Sequence, residues 1–322
     1  MPLITVLTAK NMEFSEIVIH VIFLSQTVVG TLNNSFLVYH YVMLYFMECR
    51  LKFTDWILQH LLVANFLTLL CKGVPHTLSA FGLKDFLNDI GCKLIFFLHR
   101  IGRGVSISST CFLSVFQAIT ISPKASKWTQ LKVKSPRYIA SCVYMSWILS
   151  FIVNIAFPMD ITARQNIRNI TYLRVLEYCS TPHKDKVINI LHAIFLSIPD
   201  VFFMLLMIWS SSYMVFILYR HKQRMKHIHK SNFSFRSSPE FRATKTILLL
   251  VSTFVFFYTV SCVFQVNMSL VQNPTSLWVN MASVVSAGFP TVGPILMINC
   301  YSVNLHSVSF VRKQNIITIS YQ

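Results

Sequence analysis

Seven long apolar segments divide the chain, and they constrain its fold more than any other feature. An α-helix rises about 1.5 Å per residue, so a run of about 20 apolar residues is long enough to cross a bilayer. Charged residues make up 12% of the chain and the mean hydropathy is +0.57, whereas soluble domains carry about 25% charged residues. The sequence therefore predicts an all-α membrane protein, one domain of 322 residues built as a seven-helix transmembrane bundle. The predicted helices are 17–45, 54–81, 90–121, 137–158, 186–219, 243–267 and 276–301.

The distribution of Lys and Arg predicts which side of the membrane each loop faces. Seventeen of them follow the first, third and fifth predicted helices or lie in the carboxyl-terminal tail, and only eight lie on the opposite side. Because cytoplasmic loops are enriched in Lys and Arg, we expect the amino terminus outside and the carboxyl terminus inside. The net charge of +17 is then an orientation signal that also favours contact with anionic lipid headgroups, and nucleic acid is not expected as a partner.

The third predicted helix carries ionisable side chains near its outer end. Charged groups at membrane depth are costly, so His99, Arg100 and Arg103 must face protein or water instead of lipid. Helical spacing places Cys92, Phe96, His99 and Arg103 on one face. That face is predicted to form one wall of a site inside the bundle.

Two further charged residues lie inside predicted spans. Asp200 follows Pro199 in the fifth helix, and the sequence leaves open whether it pairs with Arg103 or Arg100 or instead contacts a bound molecule. Lys72 in the second helix is expected either to extend toward the membrane surface or to line a cavity.

The outer loops hold two candidate covalent sites. Of the eight cysteines, only Cys92 and Cys179 lie at predicted outer boundaries, and a disulfide between them is compatible with an oxidising exterior. The sequon at Asn169 lies in the second outer loop and is the predicted glycosylation site, since other sequons fall within the membrane, inside, or beside a helix end.

Motifs for catalysis are absent from the sequence. The chain has no Walker loop, no dinucleotide-binding glycine fingerprint, no nucleophile-elbow motif and no His-Glu-x-x-His. The His-rich run in the third inner loop lacks Cys or carboxylate partners at ligand spacing, so it does not predict a metal site. We therefore expect no enzymatic activity, no cofactor and no metal.

Seven stretches carry a more specific signal. The longest are HRIGRGVSISSTCFLSVFQAITISP at 99–123 and SSPEFRATKTILLLVSTFVFFYT at 237–259, and the others lie at 131–139, 147–158, 169–180, 214–229 and 289–297. In this order they resemble the vomeronasal type 1 (pheromone) receptors, which are G-protein-coupled receptors. The resemblance implies a chemosensory receptor of the plasma membrane that binds small pheromone-like molecules and couples to an inhibitory-class (Gi/Go) heterotrimeric G protein. It also implies a disulfide between Cys92 and Cys179.

Some positions depart from the broader rhodopsin-like family. The inner end of the third helix reads Ser114-Val-Phe-Gln-Ala-Ile-Thr, without the Asp-Arg-Tyr that the broader family usually has there. The second helix has Asn65 where that family commonly has Asp, and the seventh has Gly293-Pro294 in place of Asn-Pro. These departures fit the vomeronasal subfamily and make the usual ionic lock and sodium site improbable.

The resulting hypothesis places a ligand between helices three, five, six and seven in the outer half of the bundle. Its expected contacts are Phe96, His99, Arg103, Ser106, Asp200, Gln265 and Phe289. The arginines suit an acidic or hydrogen-bond-accepting ligand. Expected G-protein contacts are Gln117, Lys124, Arg220, Lys222, Arg224 and Lys226. The alternatives are a bitter-taste-like receptor, a small-solute transporter that uses Arg103 and Asp200 as a gate, and an inactive relic.

Overall fold

The computed structural model describes ten segments of the chain: residues 2–47, 52–83, 86–122, 126–155, 162–163, 173–176, 179–182, 186–228, 239–270 and 276–319. Seven helices make up most of these residues, and each contains a stretch long and apolar enough to span a membrane. In chain order they are α1 (Pro2–Phe46), α2 (Phe53–Ala80), α3 (Asp89–Ile121), α4 (Ser126–Asn154), α5 (Lys186–Ile228), α6 (Pro239–Leu270) and α7 (Ser276–Ile319). The predicted all-α seven-helix bundle is confirmed.

The bounds of α2 and α3 lie within one residue of those predicted from the sequence, and both helices begin at a capping interaction. The backbone N–H of Lys52 donates to Asp55 Oδ2 at 3.0 Å. The backbone N–H of Gly91 donates to Asn88 Oδ1 at 2.8 Å. Capping of this kind satisfies backbone groups that the first turn of a helix leaves without partners.

The other helices differ from the predicted ranges mainly because they continue as polar helix beyond the apolar run. The largest internal difference is in α4, which begins at Ser126 instead of residue 137 and passes through Pro136. Proline removes one backbone donor from a helix. The hydroxyl of Ser135 donates to the Lys132 carbonyl at 3.0 Å, the acceptor that the N–H of residue 136 would otherwise reach. The Lys132 carbonyl thus keeps a hydrogen-bond donor where the helix passes through the proline.

Helix α3 is the centre of the bundle and packs against α2, α4, α5 and α6. Within its apolar stretch 61% of the residues are buried inside the protein, compared with 17% in each of α1, α4 and α5. The exposed residues of those three outer helices are largely apolar, as expected for surfaces that face lipid. Residues on α3 are therefore the ones best placed to contact several other helices at once.

A small antiparallel sheet lies at the outer end of α3. Its strands are β1 (Thr162–Ala163), β2 (Leu173–Leu176) and β3 (Cys179–Pro182), in the order β1-β3-β2. A disulfide joins Cys179, the first residue of β3, to Cys92 in the first turn of α3, and both cysteines are fully buried. The bond fixes the second outer loop to the central helix at the entrance to the bundle.

Candidate ligand-binding site

A cavity of about 60 Å³ lies between α2, α3, α6 and α7. Aromatic rings and small hydroxyl side chains form most of its wall, together with three basic side chains. The lining residues are Thr68, Lys72, His99, Arg103, Ser106, Ile107, Phe254, Phe257, Tyr258, Ser261, Val285, Ser286, Phe289 and Pro290. Ligand pockets typically combine such an apolar wall with a few placed polar groups.

The structure brings four of the seven sequence-predicted ligand contacts to this cavity, namely His99, Arg103, Ser106 and Phe289. Phe96 instead packs beside the disulfide, one turn farther out. Asp200 does not line the cavity but contacts two of its side chains. Gln265 belongs to α6, and its side chain lies outside the described residues. The sequence hypothesis places the ligand between α3, α5, α6 and α7. In the structure the cavity is lined by α2, α3, α6 and α7.

Arg103 lies at the centre of a three-helix polar contact. Its Nη2 atom is 3.8 Å from Asp200 Oδ2 on α5. The Arg103 side chain is 25% exposed and the Asp200 side chain is 21% exposed. The hydroxyl of Tyr258 on α6 donates to the same carboxylate oxygen at 2.6 Å. The guanidinium also lies 5.0 Å from the centre of the Tyr258 ring, within the range of cation–π attraction. The structure thus favours the ion-pair interpretation of Asp200 over direct contact with the cavity.

The other polar lining groups connect α2 to its neighbours. Ser106 donates to Asn65 Oδ1 at 2.7 Å, and His99 Nδ1 lies 3.4 Å from the Thr68 carbonyl oxygen. Lys72, which the sequence places either at the surface or in a cavity, lines this cavity and donates to Ser286 on α7 at 2.7 Å. These contacts orient the polar wall without closing the space beside it.

Arg100 belongs to a different part of the bundle. Its Nε atom donates to Asn154 Oδ1 on α4 at 2.7 Å, and Arg100 is not among the residues that line the cavity. Of the two arginines that the sequence offers as partners for Asp200, Arg103 is the one that forms the ion pair.

At the inner end, Gln117 lies inside the bundle. Its side chain is 4% exposed, and its amide donates to Thr244 on α6 at 2.7 Å. Arg220 lies exposed near the inner end of α5, with its guanidinium 5.6 Å from the Phe216 ring.

Several of the predicted positions lie beyond what the structure describes. Lys222, Arg224 and Lys226 continue the described α5 backbone, but their side chains are outside the described residues. Lys124 and the predicted glycosylation site Asn169 also lie outside them. Their predicted roles remain predictions.

Comparison with known proteins identifies the family. The model of the vomeronasal organ pheromone receptor family matches residues 17–306. The chain belongs to this family of vomeronasal type 1 receptors. It is 53% identical to vomeronasal type-1 receptor 4 of Homo sapiens over 277 residues, covering 86% of this chain and 92% of that receptor. It is 44% identical to type-1 receptor 3 of Homo sapiens over 289 residues (89% and 92%). The identity to type-1 receptor 90 of Rattus norvegicus is 34% over 277 residues (86% and 89%).

Membership in the family confirms the resemblance that the seven sequence stretches indicate. Vomeronasal type 1 receptors are G-protein-coupled, multi-pass receptors of the plasma membrane and are not enzymes. The chain is therefore a chemosensory receptor of this kind, with a ligand and a G protein as its general partners. The match favours this assignment over the transporter and bitter-taste-like alternatives.

Proposed function

We propose that this vomeronasal receptor binds a small pheromone-like molecule in the cavity between α2, α3, α6 and α7 and activates an inhibitory-class (Gi/Go) G protein. The observation that carries the proposal is the position of the cavity. It lies in the outer half of the bundle, next to α6, and two of its lining residues, Arg103 and Tyr258, contact Asp200 on α5. A molecule in this space therefore touches the contacts that hold three helices together.

The chemistry of the wall favours a partly apolar ligand with a hydrogen-bond acceptor. Phe254, Phe257 and Phe289 offer aromatic surface, while Arg103 and Ser261 offer N–H and O–H donors. Arginine pairs well with carboxylate or sulfate oxygens. An acceptor on the ligand would compete with Asp200 for the Arg103 guanidinium, which links ligand binding to a contact between helices.

The size of the cavity links binding to movement. Pockets for drug-sized ligands measure about 300–1,000 Å³, whereas this cavity measures about 60 Å³. A pheromone-sized molecule therefore fits only if side chains or helices around the cavity separate. A ligand that binds the wider state more tightly shifts the population toward that state. Movement of α6 away from α3 and α5 at the inner end would then open a cleft for the G protein.

The basic inner surface supports coupling to a cytoplasmic protein. The inner extension of α5 carries Arg220, Lys222, Arg224 and Lys226, and the proposed inhibitory class follows from the family resemblance. Electrostatic attraction of this kind accelerates association with an acidic partner surface. The same residues also favour anionic lipid headgroups, so their role in coupling requires a direct test.

The test measures nucleotide exchange on Gi and Go in membranes containing the receptor, while volatile and steroid-like compounds are screened. The control variant carries Gln at residues 220, 222, 224 and 226. We expect one or more compounds to raise exchange in the wild-type receptor, and the control to lose most of that rise at equal surface amount. Absence of exchange from receptor that reaches the surface, with every compound, would contradict the proposal. Compound-dependent solute flux across proteoliposomes would instead support a transporter.

A further inference from the structure

A glycine on α7 lies directly against one wall of the cavity. A Cβ atom added to Gly288 would lie 2.3 Å from Cε1 and 2.4 Å from Cδ1 of the Phe257 ring on α6. These distances are far shorter than van der Waals contact, which is about 3.5–4.0 Å between carbon atoms. Gly288 is buried, and Phe257 is one of the aromatic residues that line the cavity. The ring therefore fits in this place only because residue 288 has no side chain.

The surroundings of the Phe257 ring differ on its two sides. Toward the lipid-facing surface, its centre lies 5.4 Å from the centre of the Phe256 ring, which is 62% exposed. The other side borders the cavity, where the rings of Phe254 and Phe289 meet edge to face at 4.5 Å. The cavity is thus the open space next to the ring. A larger side chain at residue 288 would displace the Phe257 ring into it.

We infer that Phe257, positioned by Gly288, sets the size of the largest molecule that the cavity admits. Gly288 itself is not among the lining residues, so it acts through Phe257 as a positioning residue. The inference rests on the proposed binding site and deepens it, because it assigns the size limit for the ligand to one ring and one glycine. Residue 288 is then a specificity-determining position of this receptor.

The small size of the cavity makes it sensitive to the position of this ring. The cavity measures about 60 Å³, so displacement of a phenyl group by part of its width takes a large share of the space. In an apolar pocket, one methylene group more or less changes discrimination about 10- to 200-fold. We therefore expect Gly288→Ala to reject the larger members of a series of related molecules much more than the smaller ones. General damage to the fold would instead affect large and small molecules alike.

The central variant is Gly288→Ala, and the chain offers a matched control on the same helix. In Gly293→Ala the added Cβ would meet no atom closer than 3.6 Å. The rescue variant combines Gly288→Ala with Phe257→Leu, because the shorter leucine side chain leaves room for the added methyl group. Phe257→Leu alone, with Gly288 unchanged, should widen the cavity and tests the inference without any strain at residue 288.

The readout is the rate at which neutral methanethiosulfonate reagents of two sizes, methyl and benzyl, label a cysteine in the cavity. The cysteine is introduced as Val285→Cys together with each variant. Val285 lines the cavity on α7, and cysteine is no larger than valine. Labelling of residue 285 is measured by mass spectrometry on receptor from the cell surface, and receptor with the native Val285 gives the background. This measurement needs neither a G protein nor an activating compound.

We expect Gly288→Ala to slow labelling by the benzyl reagent at least about tenfold and labelling by the methyl reagent by less than about threefold. Gly293→Ala should leave both rates unchanged, the rescue variant should restore the benzyl rate, and Phe257→Leu alone should raise it. Equal slowing of both reagents by Gly288→Ala, or a rescue variant that stays slow, would overturn the inference. If Gly288→Ala does not reach the surface, Phe257→Leu alone decides, and an unchanged benzyl rate would overturn the inference.

A second measurement separates this inference from the proposed binding site. It is nucleotide exchange on Gi and Go as a function of the concentration of a compound that activates the wild-type receptor. Size-dependent labelling with unchanged potency in Gly288→Ala would support the role of Phe257 and Gly288 and contradict the proposed ligand site. Labelling rates that do not change in Gly288→Ala would overturn the inference, whatever the potency of the compound.

Discussion

Neutralising Asp200 should destabilise the bundle through its pair with Arg103. The substitution Asp200→Asn keeps the size of the side chain and one oxygen that can accept the Tyr258 hydrogen bond, which is 2.6 Å long in the wild-type receptor. It removes the negative charge that lies 3.8 Å from the Arg103 guanidinium. The guanidinium then remains inside the bundle without this carboxylate.

The expected magnitude follows from the distance and the exposure of the pair. Two unit charges 3.8 Å apart attract by about 4 kcal/mol at an effective dielectric constant of about 20. Both side chains keep a quarter to a fifth of their surface exposed, and the neutral amide still offers a dipole to the guanidinium. We therefore expect Asp200→Asn to lower the free energy of unfolding by about 1–3 kcal/mol. This is less than the cost of about 3–5 kcal/mol for breaking a fully buried ion pair.

The assay is thermal unfolding of detergent-solubilised receptor, followed by a dye that fluoresces on reaction with the buried thiols of Cys71 and Cys111. Asp200→Asn and Arg103→Gln should each lower the apparent midpoint by about 2–10 °C. The double variant should be more stable than the sum of the two losses indicates, because it removes both members of the pair. Strictly additive losses would refute the conclusion that this ion pair stabilises the bundle.

Three further predictions concern the covalent sites and the packing of the helices. Cys92→Ser should destabilise the outer half by about 2–4 kcal/mol and reduce receptor at the cell surface, as measured by antibody binding; normal surface amounts would contradict it. The Asn169→Gln receptor should migrate on a gel at the position of the wild-type receptor after glycosidase treatment. Migration at the position of the untreated wild-type receptor would show that Asn169 carries no glycan. Gly102→Ala should lower thermal stability by about 1–3 kcal/mol, because an added Cβ would lie 2.9 Å from the Ala64 carbonyl oxygen. The matched control Gly293→Ala should be tolerated, since its Cβ would meet no atom closer than 3.6 Å, and equal losses in both variants would refute this reasoning.

The sequence predicts those parts of the fold that hydrophobic length and local chemistry determine. Seven apolar runs predict seven helices, and the predicted start of α3 at residue 90 lies one residue from the observed start at Asp89. The start of α4 is missed because the predicted range follows the apolar run from residue 137, whereas the helix already begins at Ser126 in a polar, basic stretch. The three short strands beyond α4 are also missed, since two- to four-residue strands carry almost no pattern of their own.

The candidate site is predictable along one helix and much less so between helices. Helical spacing on α3 places His99 and Arg103 on one face, and both line the cavity. The sequence alone does not show which helix faces that wall, so Thr68 and Tyr258 are not predicted as lining residues. The sequence signals Tyr258 only indirectly. Buried charges require hydrogen-bonding partners, and in the structure the Tyr258 hydroxyl is the partner that donates to Asp200. The sequence provides the charges but not the geometry that pairs them.

The most direct test of the proposed binding site fills the cavity and measures signalling. Ser261→Leu adds bulk to a lining residue of the 60 Å³ cavity, while the matched control Ser252→Leu places the same bulk on an exposed face of the same helix. The measurement is nucleotide exchange on Gi and Go as a function of the concentration of a compound that activates the wild-type receptor. We predict that Ser261→Leu lowers the potency of the compound at least about tenfold, equivalent to about 1.4 kcal/mol, while Ser252→Leu leaves it unchanged. Unaltered potency in a Ser261→Leu receptor that reaches the surface would contradict the proposed site, because it would place the ligand outside this cavity.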